Sequence, residues 1–349
     1  MNFQSTLMTW YAQNKRDLPW RNTQDAYVIW LSEIILQQTR VEQGLPYFER
    51  FLSHYPSVKD FAQASVDEIL KHWQGLGYYS RGRNMWHTAQ EVTVRYNSQF
   101  PTKYADLIKL KGIGEYTAAA IASFSVNENK AVLDGNVFRV LARYFGISEA
   151  INSNKGKRVF ADLAQDLIQD QPAQIYNQAI MEFGALQCKP QSPNCDICPL
   201  NMSCYAFKHQ VVKDLPLKIK ASKPKPRYFN YFVISDGESI YFKQRAAGDI
   251  WQGLYDFPLM ETLTNPKENY AEFYAQIQLE FGNQVVIKPI TQIKQVLSHQ
   301  IIYAQFFALE NYMINFSIQD QIKLTNMEEF KKLAHPKLIA NFLEMYQTN

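Results

Sequence analysis

Apolar positions recur every three or four residues over residues 27–38, 65–74, 116–126 and 155–168, and that period predicts helices with a buried face. The whole stretch up to about Val212 reads as all-helical. The pattern then changes. Residues 213–227 hold three prolines and six basic residues against one acid, a composition that predicts an extended, solvated linker. Beyond it, residues 228–234 and 239–243 are β-rich runs separated by Asp236-Gly237, which is a hairpin signal. Residues 284–290 and 301–309 predict further strands, and 269–281 and 327–347 predict helices. The expected organisation is an all-α domain over residues 1–212, a basic linker over 213–227 and a smaller α+β domain over 228–349.

Composition agrees with two cores. A chain of 349 residues exceeds the usual size of one hydrophobic core, and 46% apolar residues with 14% aromatics suffice for two packed domains. A net charge of +3 permits a polyanionic partner without demanding one. Residues 1–16 contain no uninterrupted apolar segment behind a basic start, and no stretch reaches membrane-spanning length. The expectation is a cytoplasmic monomer with no membrane partner.

Candidate chemistry sharpens this. All four cysteines, Cys188, Cys195, Cys198 and Cys204, fall in one short segment punctuated by Pro190, Pro193 and Pro199. Four thiolates there can wrap a single metal centre, and tetrahedral zinc and a four-iron cluster both meet the ligand count. Residues 110–118 (LKGIGEYTA) lie between two helical segments. Gly112 and Gly114 let the backbone be approached closely, and amides at the following helix N-terminus can hold a phosphate; alone, an ordinary helix connection looks the same. Asp134, in LDGNVFRV, would by itself be a turn residue or a helix cap. Glu33 sits in VIWLSEIILQQT, a strongly apolar run. A carboxyl group desolvated there has a raised pKa and can act as a general acid near neutral pH; an exposed or paired helix glutamate is the alternative.

These segments, in this order and with C-x6-C-x2-C-x5-C, resemble the endonuclease III and MutY family of helix-hairpin-helix DNA glycosylases, from Arg16 to about Leu309. The resemblance implies an all-α glycosylase domain with its hairpin near residues 104–122. It implies one [4Fe-4S] cluster held by the cysteine loop, residues 188–204, and leaves room for a monovalent cation at the hairpin. SEIILQQT matches the adenine-removing branch, which makes Glu33 the acid and Asp134 the stabiliser of a cationic sugar. Bifunctional relatives carry a lysine where this chain has Tyr116, and tyrosine cannot form the imine. Base removal without strand cleavage is therefore expected, with Tyr116 and Asn136 lining the sugar site.

The same resemblance assigns DNA contacts. Gln38 and Tyr78 correspond to intercalating residues, with Thr39 and Leu76 near the opposite base. Arg16, Trp20 and Arg21 would rim the adenine pocket, and Gln178 would line it. Downstream, WQGLYDFP (residues 251–258) and residues 296–299 resemble a Nudix-like C-terminal domain in which Ser298 and His299 read oxidised guanine. Residues 276–282 lack the acidic cluster of a Nudix hydrolase, which speaks against pyrophosphatase chemistry. Two positions depart from the family pattern: Lys111 replaces a usual proline, and Leu297 a usual aromatic. The implied partner is duplex DNA with adenine opposite 8-oxoguanine or guanine, and Arg81, Arg83, Lys109, Lys111, Arg139, Arg143 and the linker cations lie beside the proposed DNA-facing motifs. A lyase for oxidised pyrimidines is disfavoured by Tyr116, and a non-catalytic DNA-binding or redox-sensing module by the presence of both carboxylates.

Overall fold

The computed structural model describes residues 2–220, 223–235, 238–313 and 323–346. By its internal contacts the chain forms two compact units, residues 1–63 with 84–220, and residues 64–83 with 221–349. In chain order the first twelve helices are α1 (Phe3–Asn14), α2 (Ala26–Ile35), α3 (Val41–His54), α4 (Val58–Gln63), α5 (Val66–Trp73), α6 (Ser80–Arg95), α7 (Tyr104–Leu107), α8 (Glu115–Val126), α9 (Gly135–Phe145), α10 (Asn154–Ile168), α11 (Ala173–Leu186) and α12 (Tyr205–Lys208). No described helix is long and apolar enough to cross a membrane.

The first unit is built round two helices that are apolar on almost every side. In α2 every residue but Val28 is buried, and in α8 the run Thr117–Ser125 is buried. Helices of this kind form only inside a core, because propensity alone does not hold so short a segment in water. Their ends are set locally. Asp25 caps α2 through the Tyr27 amide, Ser153 caps α10 through Gly156, and left-handed Asn127 and Gly146 end α8 and α9. The helix expected over residues 27–38 stops at Ile35, because Gln38 adopts φ 58° and turns the chain away from the axis. A second cluster centred on Leu141, Phe160, Ile180 and Phe183 joins α1, α9, α10 and α11.

In the second unit α5 starts from a reciprocal capping box between Ser65 and Glu68. Seven strands follow: β1 (Lys225–Val233), β2 (Ser239–Gln244), β3 (Tyr255–Asp256), β4 (Leu259–Thr262), β5 (Val286–Val296), β6 (Gln300–Glu310) and β7 (Lys323–Asn326). They make a four-stranded sheet, β4-β1-β6-β5, and a three-stranded one, β3-β2-β7. β1 and β6 run parallel with Tyr228 opposite Tyr303, while β5 and β6 are antiparallel. Helix α13 (Tyr270–Phe281) packs on Phe232 and Phe307. The other face carries Phe229, Tyr231 and Phe306 against Leu338 and Phe342.

Two expectations for this unit change. The runs flanking Asp236-Gly237 do not pair as a hairpin ladder: β1 and β2 belong to different sheets and share only a bridge between Ser235 and Ile240. β1 lies between β4 and β6 and β2 between β3 and β7, and Asp236 and Gly237 themselves lie outside the described residues. The single helix expected over 327–347 is two, α14 (Met327–Lys332) and α15 (Lys337–Tyr346). Pro336 has no amide to give and disfavours helical backbone at His335, which is instead buried between the carbonyls of Tyr255 and Phe330.

Candidate active site

Glu33 lies on α2 with 7% of its surface exposed, opening into a cavity of about 390 Å³ that Tyr116, Asp134 and Asn136 also line. The Tyr116 hydroxyl, in the first turn of α8, donates to Glu33 Oε2 at 2.5 Å. Burial pushes the Glu33 carboxyl up to about 7 and neighbouring Asp134 adds to the effect; Tyr116 and the Arg21 guanidinium oppose it without reversing it. Burial also raises Tyr116 well above its ordinary value, reinforced by Glu33 and Asp134, so the phenol keeps the proton it donates.

Asp134 is the N-cap of α9. Its Oδ1 accepts from the Asn136 and Val137 amides at 2.8 Å each, and its Oδ2 from Asn136 Nδ2 at 2.6 Å. Burial raises its pKa, while these donors and the Arg139 charge act in the opposite direction. The cap that starts the helix is thus also a carboxylate fixed at the cavity wall. Gly184 makes the arrangement possible, since a Cβ there would come within 2.6 Å of Asn136 Cβ.

The opposite rim is organised by a residue that sequence reasoning passed over. Glu182 on α11 is 1% exposed and takes paired hydrogen bonds from Arg16 (Nε 2.8 Å, Nη2 2.7 Å) and from Arg21 (Nη1 3.0 Å, Nη2 2.7 Å). Burial alone would raise its pKa, but these bonds and the Arg16 amide hold it at about 2. Both arginines expected at the rim do line the cavity, with their guanidinium groups directed at Glu182. Tyr11, also overlooked, donates to Gln178 Oε1 at 2.6 Å. Trp20 packs edge-on to Phe48 at 5.1 Å while facing the cavity. The signal for Glu182 was its place one helical turn beyond Gln178.

Gln38 and Thr39 line an adjoining cavity with Glu33 and Asp134. Gly112 and Gly114 stand outside both. Gly112 has φ +78°, and a Cβ would press within 2.7 Å of the Asn84 side chain; in front of Gly114 the space is open. The Lys111 carbonyl accepts from the Thr88 hydroxyl at 2.6 Å.

All four cysteines line one small apolar cavity of about 30 Å³. No group of three or more His, Cys, Asp or Glu among the described residues is arranged to grip a metal ion. Arg139 and Arg143, read above as DNA-facing cations, are buried. Arg143 donates to Cys188 Sγ at 3.5 Å and to the carbonyls of Lys189, Pro190 and Leu215. Arg139 donates to the Cys188 carbonyl at 2.7 Å and to Asn136 Oδ1 at 2.9 Å, so the cysteine loop and the Asp134 cap share a hydrogen-bonded arginine. These cations serve the backbone because a loop poor in regular structure leaves carbonyls that need donors.

In the second unit Leu76, Tyr78, Ser298 and His299 line one cleft of about 520 Å³. Tyr78 is 52% exposed in a left-handed conformation, φ 46°, whereas Tyr79 is buried with its hydroxyl on the His335 carbonyl. The Trp73 indole and Arg81 donate to the Gly77 carbonyl, fixing the loop that carries Tyr78. Ser298 Oγ lies 2.9 Å from His299 Nδ1.

A helical unit followed by a sheet-containing one is the architecture of a helix-hairpin-helix DNA glycosylase of base excision. Residues 31–165 match the HhH-GPD superfamily of base excision DNA repair proteins, and residues 230–345 match the NUDIX domain. A solved thermostable thymine-DNA glycosylase is 30% identical with a TM-score of 0.55, over 59% of this chain and 95% of that one. The adenine DNA glycosylase of Buchnera aphidicola subsp. Schizaphis graminum is 36% identical over 261 residues, 74% of this chain and 75% of the relative. That of Buchnera aphidicola subsp. Baizongia pistaciae is 33% identical over 306 residues, 86% and 84%. The chain belongs to the adenine DNA glycosylase family.

Proposed function

We propose that this glycosylase hydrolyses the N-glycosidic bond of adenine paired with 8-oxoguanine or guanine, and leaves the strand uncut. The observation that carries the reading is a buried Glu33, with its pKa pushed to about 7, in the same cavity as a capped Asp134. Adenine leaves poorly as an anion, so protonation at N7 is needed, and the sugar then develops oxocarbenium character that a nearby carboxylate stabilises. Oε2 of Glu33 accepts from Tyr116, which leaves its proton on Oε1 for the base. Asp134 takes three hydrogen bonds from α9 and Asn136, which orient it and favour the anion that faces the cation. No lysine lines the cavity, which supports hydrolysis over imine chemistry.

In this reading residues 1–212 carry the chemistry, residues 228–349 recognise the opposite base, and residues 213–227 link them. Gln38 and Tyr78, each in its own unit, are the candidates to intercalate where a base is extruded, a task suited to their exposed, backbone-strained positions. Open space at Gly114 suits the close approach of a phosphate to the α8 N-terminus. The four thiols round one cavity suit a [4Fe-4S] cluster, which, when bound, would crosslink the cysteine loop.

The test is single-turnover cutting of a duplex with one adenine opposite 8-oxoguanine, with and without alkali. Strand breaks that appear only after alkali are expected. Breaks without alkali would replace the reading by a lyase, and absence of product from DNA-bound protein would refute it.

A further inference from the structure

The turn at residues 249–253 lines the same cleft as Tyr78 and Ser298, and it is held far more firmly than a surface turn requires. Asp249 is gripped by two guanidinium groups, from Arg227 at 2.7 and 2.9 Å and from Arg245 at 2.7 Å. Arg245 Nε donates to the Ile250 carbonyl at 2.9 Å, its Nη1 to buried Asp256 at 2.8 Å, and its guanidinium lies 5.7 Å from the Trp251 ring centre. Arg83 donates to the Gln252 carbonyl at 2.6 Å, and the Gly253 amide to the Arg245 carbonyl at 2.9 Å.

The residue held at the centre of this turn is strained. Trp251 has φ 61°, a conformation that is strained for a large side chain and persists only where neighbours impose it. Glycine, which would adopt it freely, stands two positions on at Gly253, with φ +80°. An indole only half-buried, on a strained and over-determined backbone, facing a cleft that already holds a serine, a histidine and an exposed tyrosine, has the build of a stacking platform.

We propose that Trp251 is a base-stacking residue for the nucleotide opposite the excised adenine, with Arg245 as the positioning residue that sets its ring. This rests on the reading of the cleft as the site for that base. The indole face supplies a sequence-tolerant contact to a purine, and selection between guanine and its oxidised form stays with the polar groups across the cleft.

The experiment measures binding of the full chain to two duplexes carrying non-cleavable 2′-fluoro-2′-deoxyadenosine, one opposite 8-oxoguanine and one opposite an abasic tetrahydrofuran. Stacking contributes enough that Trp251→Leu should lose about tenfold in affinity for the first duplex. Trp251→Phe should keep most of it, and both variants should bind the abasic duplex as the parent does. Thermal melting of each variant reports folding. An equal loss on both duplexes, or no loss on either, overturns the inference. Ser298→Ala separates the two levels: if it weakens binding to the 8-oxoguanine duplex while Trp251→Leu does not, only the stacking role falls. If neither variant responds to the opposite base, the cleft reading falls with it.

Discussion

In the helical unit the groups that matter are ionisable and buried: Glu33, Tyr116, Asp134 and Glu182 all lie within the protein, and each has a pKa displaced by burial or by its partners. In the second unit the cleft lined by Tyr78, Trp251 and Ser298 contains one carboxylate, Asp249, and two arginines already occupy it. Its distinctive features are conformational, left-handed backbone at Tyr78 and Trp251 and loops tied by arginines. Moving a proton requires a desolvated acid whose pKa meets the working pH. Recognising a base requires surfaces fixed in advance, so that binding does not spend its free energy on ordering them. The cavity round Glu33 is thus set by displaced ionisable groups, and the cleft round Ser298 by strained backbone.

The comparison breaks most sharply at Glu33. Glu33→Gln keeps the shape and removes the proton, and general-acid catalysis of this kind is worth about 10²–10⁴ in rate. Single-turnover excision should fall by that factor, while binding to the 2′-fluoro duplex stays near the parent value. Retained excision would show that the buried carboxyl is structural.

Glu182→Gln should act on stability instead. Removing the anion from two half-buried arginines leaves their donors a weaker, neutral partner, at a cost of about 1–3 kcal/mol. With a folded pKa near 2, below the ordinary 4.5, Glu182 stabilises the protein fully above 4.5 and loses that effect as the pH falls towards 2. The melting temperatures of parent and variant should therefore differ widely at neutral pH and converge in acid. A constant gap would mean that packing, not charge, is lost.

Glu33 has the opposite sign. Its folded pKa is raised, so the competent protonated form is present below about 7 and is lost above it. The single-turnover rate should be level on the acid side of 7 and then fall by about tenfold per pH unit. A flat profile to pH 9 would remove the acid role.

Much of this was legible in the sequence, for identifiable reasons. Glu33, Asp134 and the four cysteines stand in short contiguous segments whose residue types already limit the chemistry. The helical unit could be read from its period, because buried helices such as α2 and α8 carry unbroken apolar runs. The Glu182 cluster was hidden because its arginines lie 161 and 166 residues away, and no local pattern encodes that distance. Arg139 and Arg143 look like DNA-binding cations until the carbonyls of the cysteine loop are seen beside them. Strain at Gln38, Tyr78 and Trp251 is invisible for a related reason: glycine announces a left-handed turn, whereas these residues adopt one only under tertiary constraint.

The smallest expected effect lies at Ser298. A neutral hydrogen bond contributes about 1 kcal/mol, so Ser298→Ala should reduce the preference for 8-oxoguanine over guanine roughly fivefold. The measurement is the ratio of single-turnover rates on the two mispairs, taken on the acid side of pH 7 where Glu33 is protonated. Because Ser298 belongs to the second unit and Glu33 to the first, the pH at which the rate begins to fall should stay where it is in the parent. A shifted pH profile would mean that the two sites are electrostatically coupled, and an unchanged ratio would move discrimination to other groups of the cleft, with His299, 2.9 Å from the serine oxygen, the next to replace.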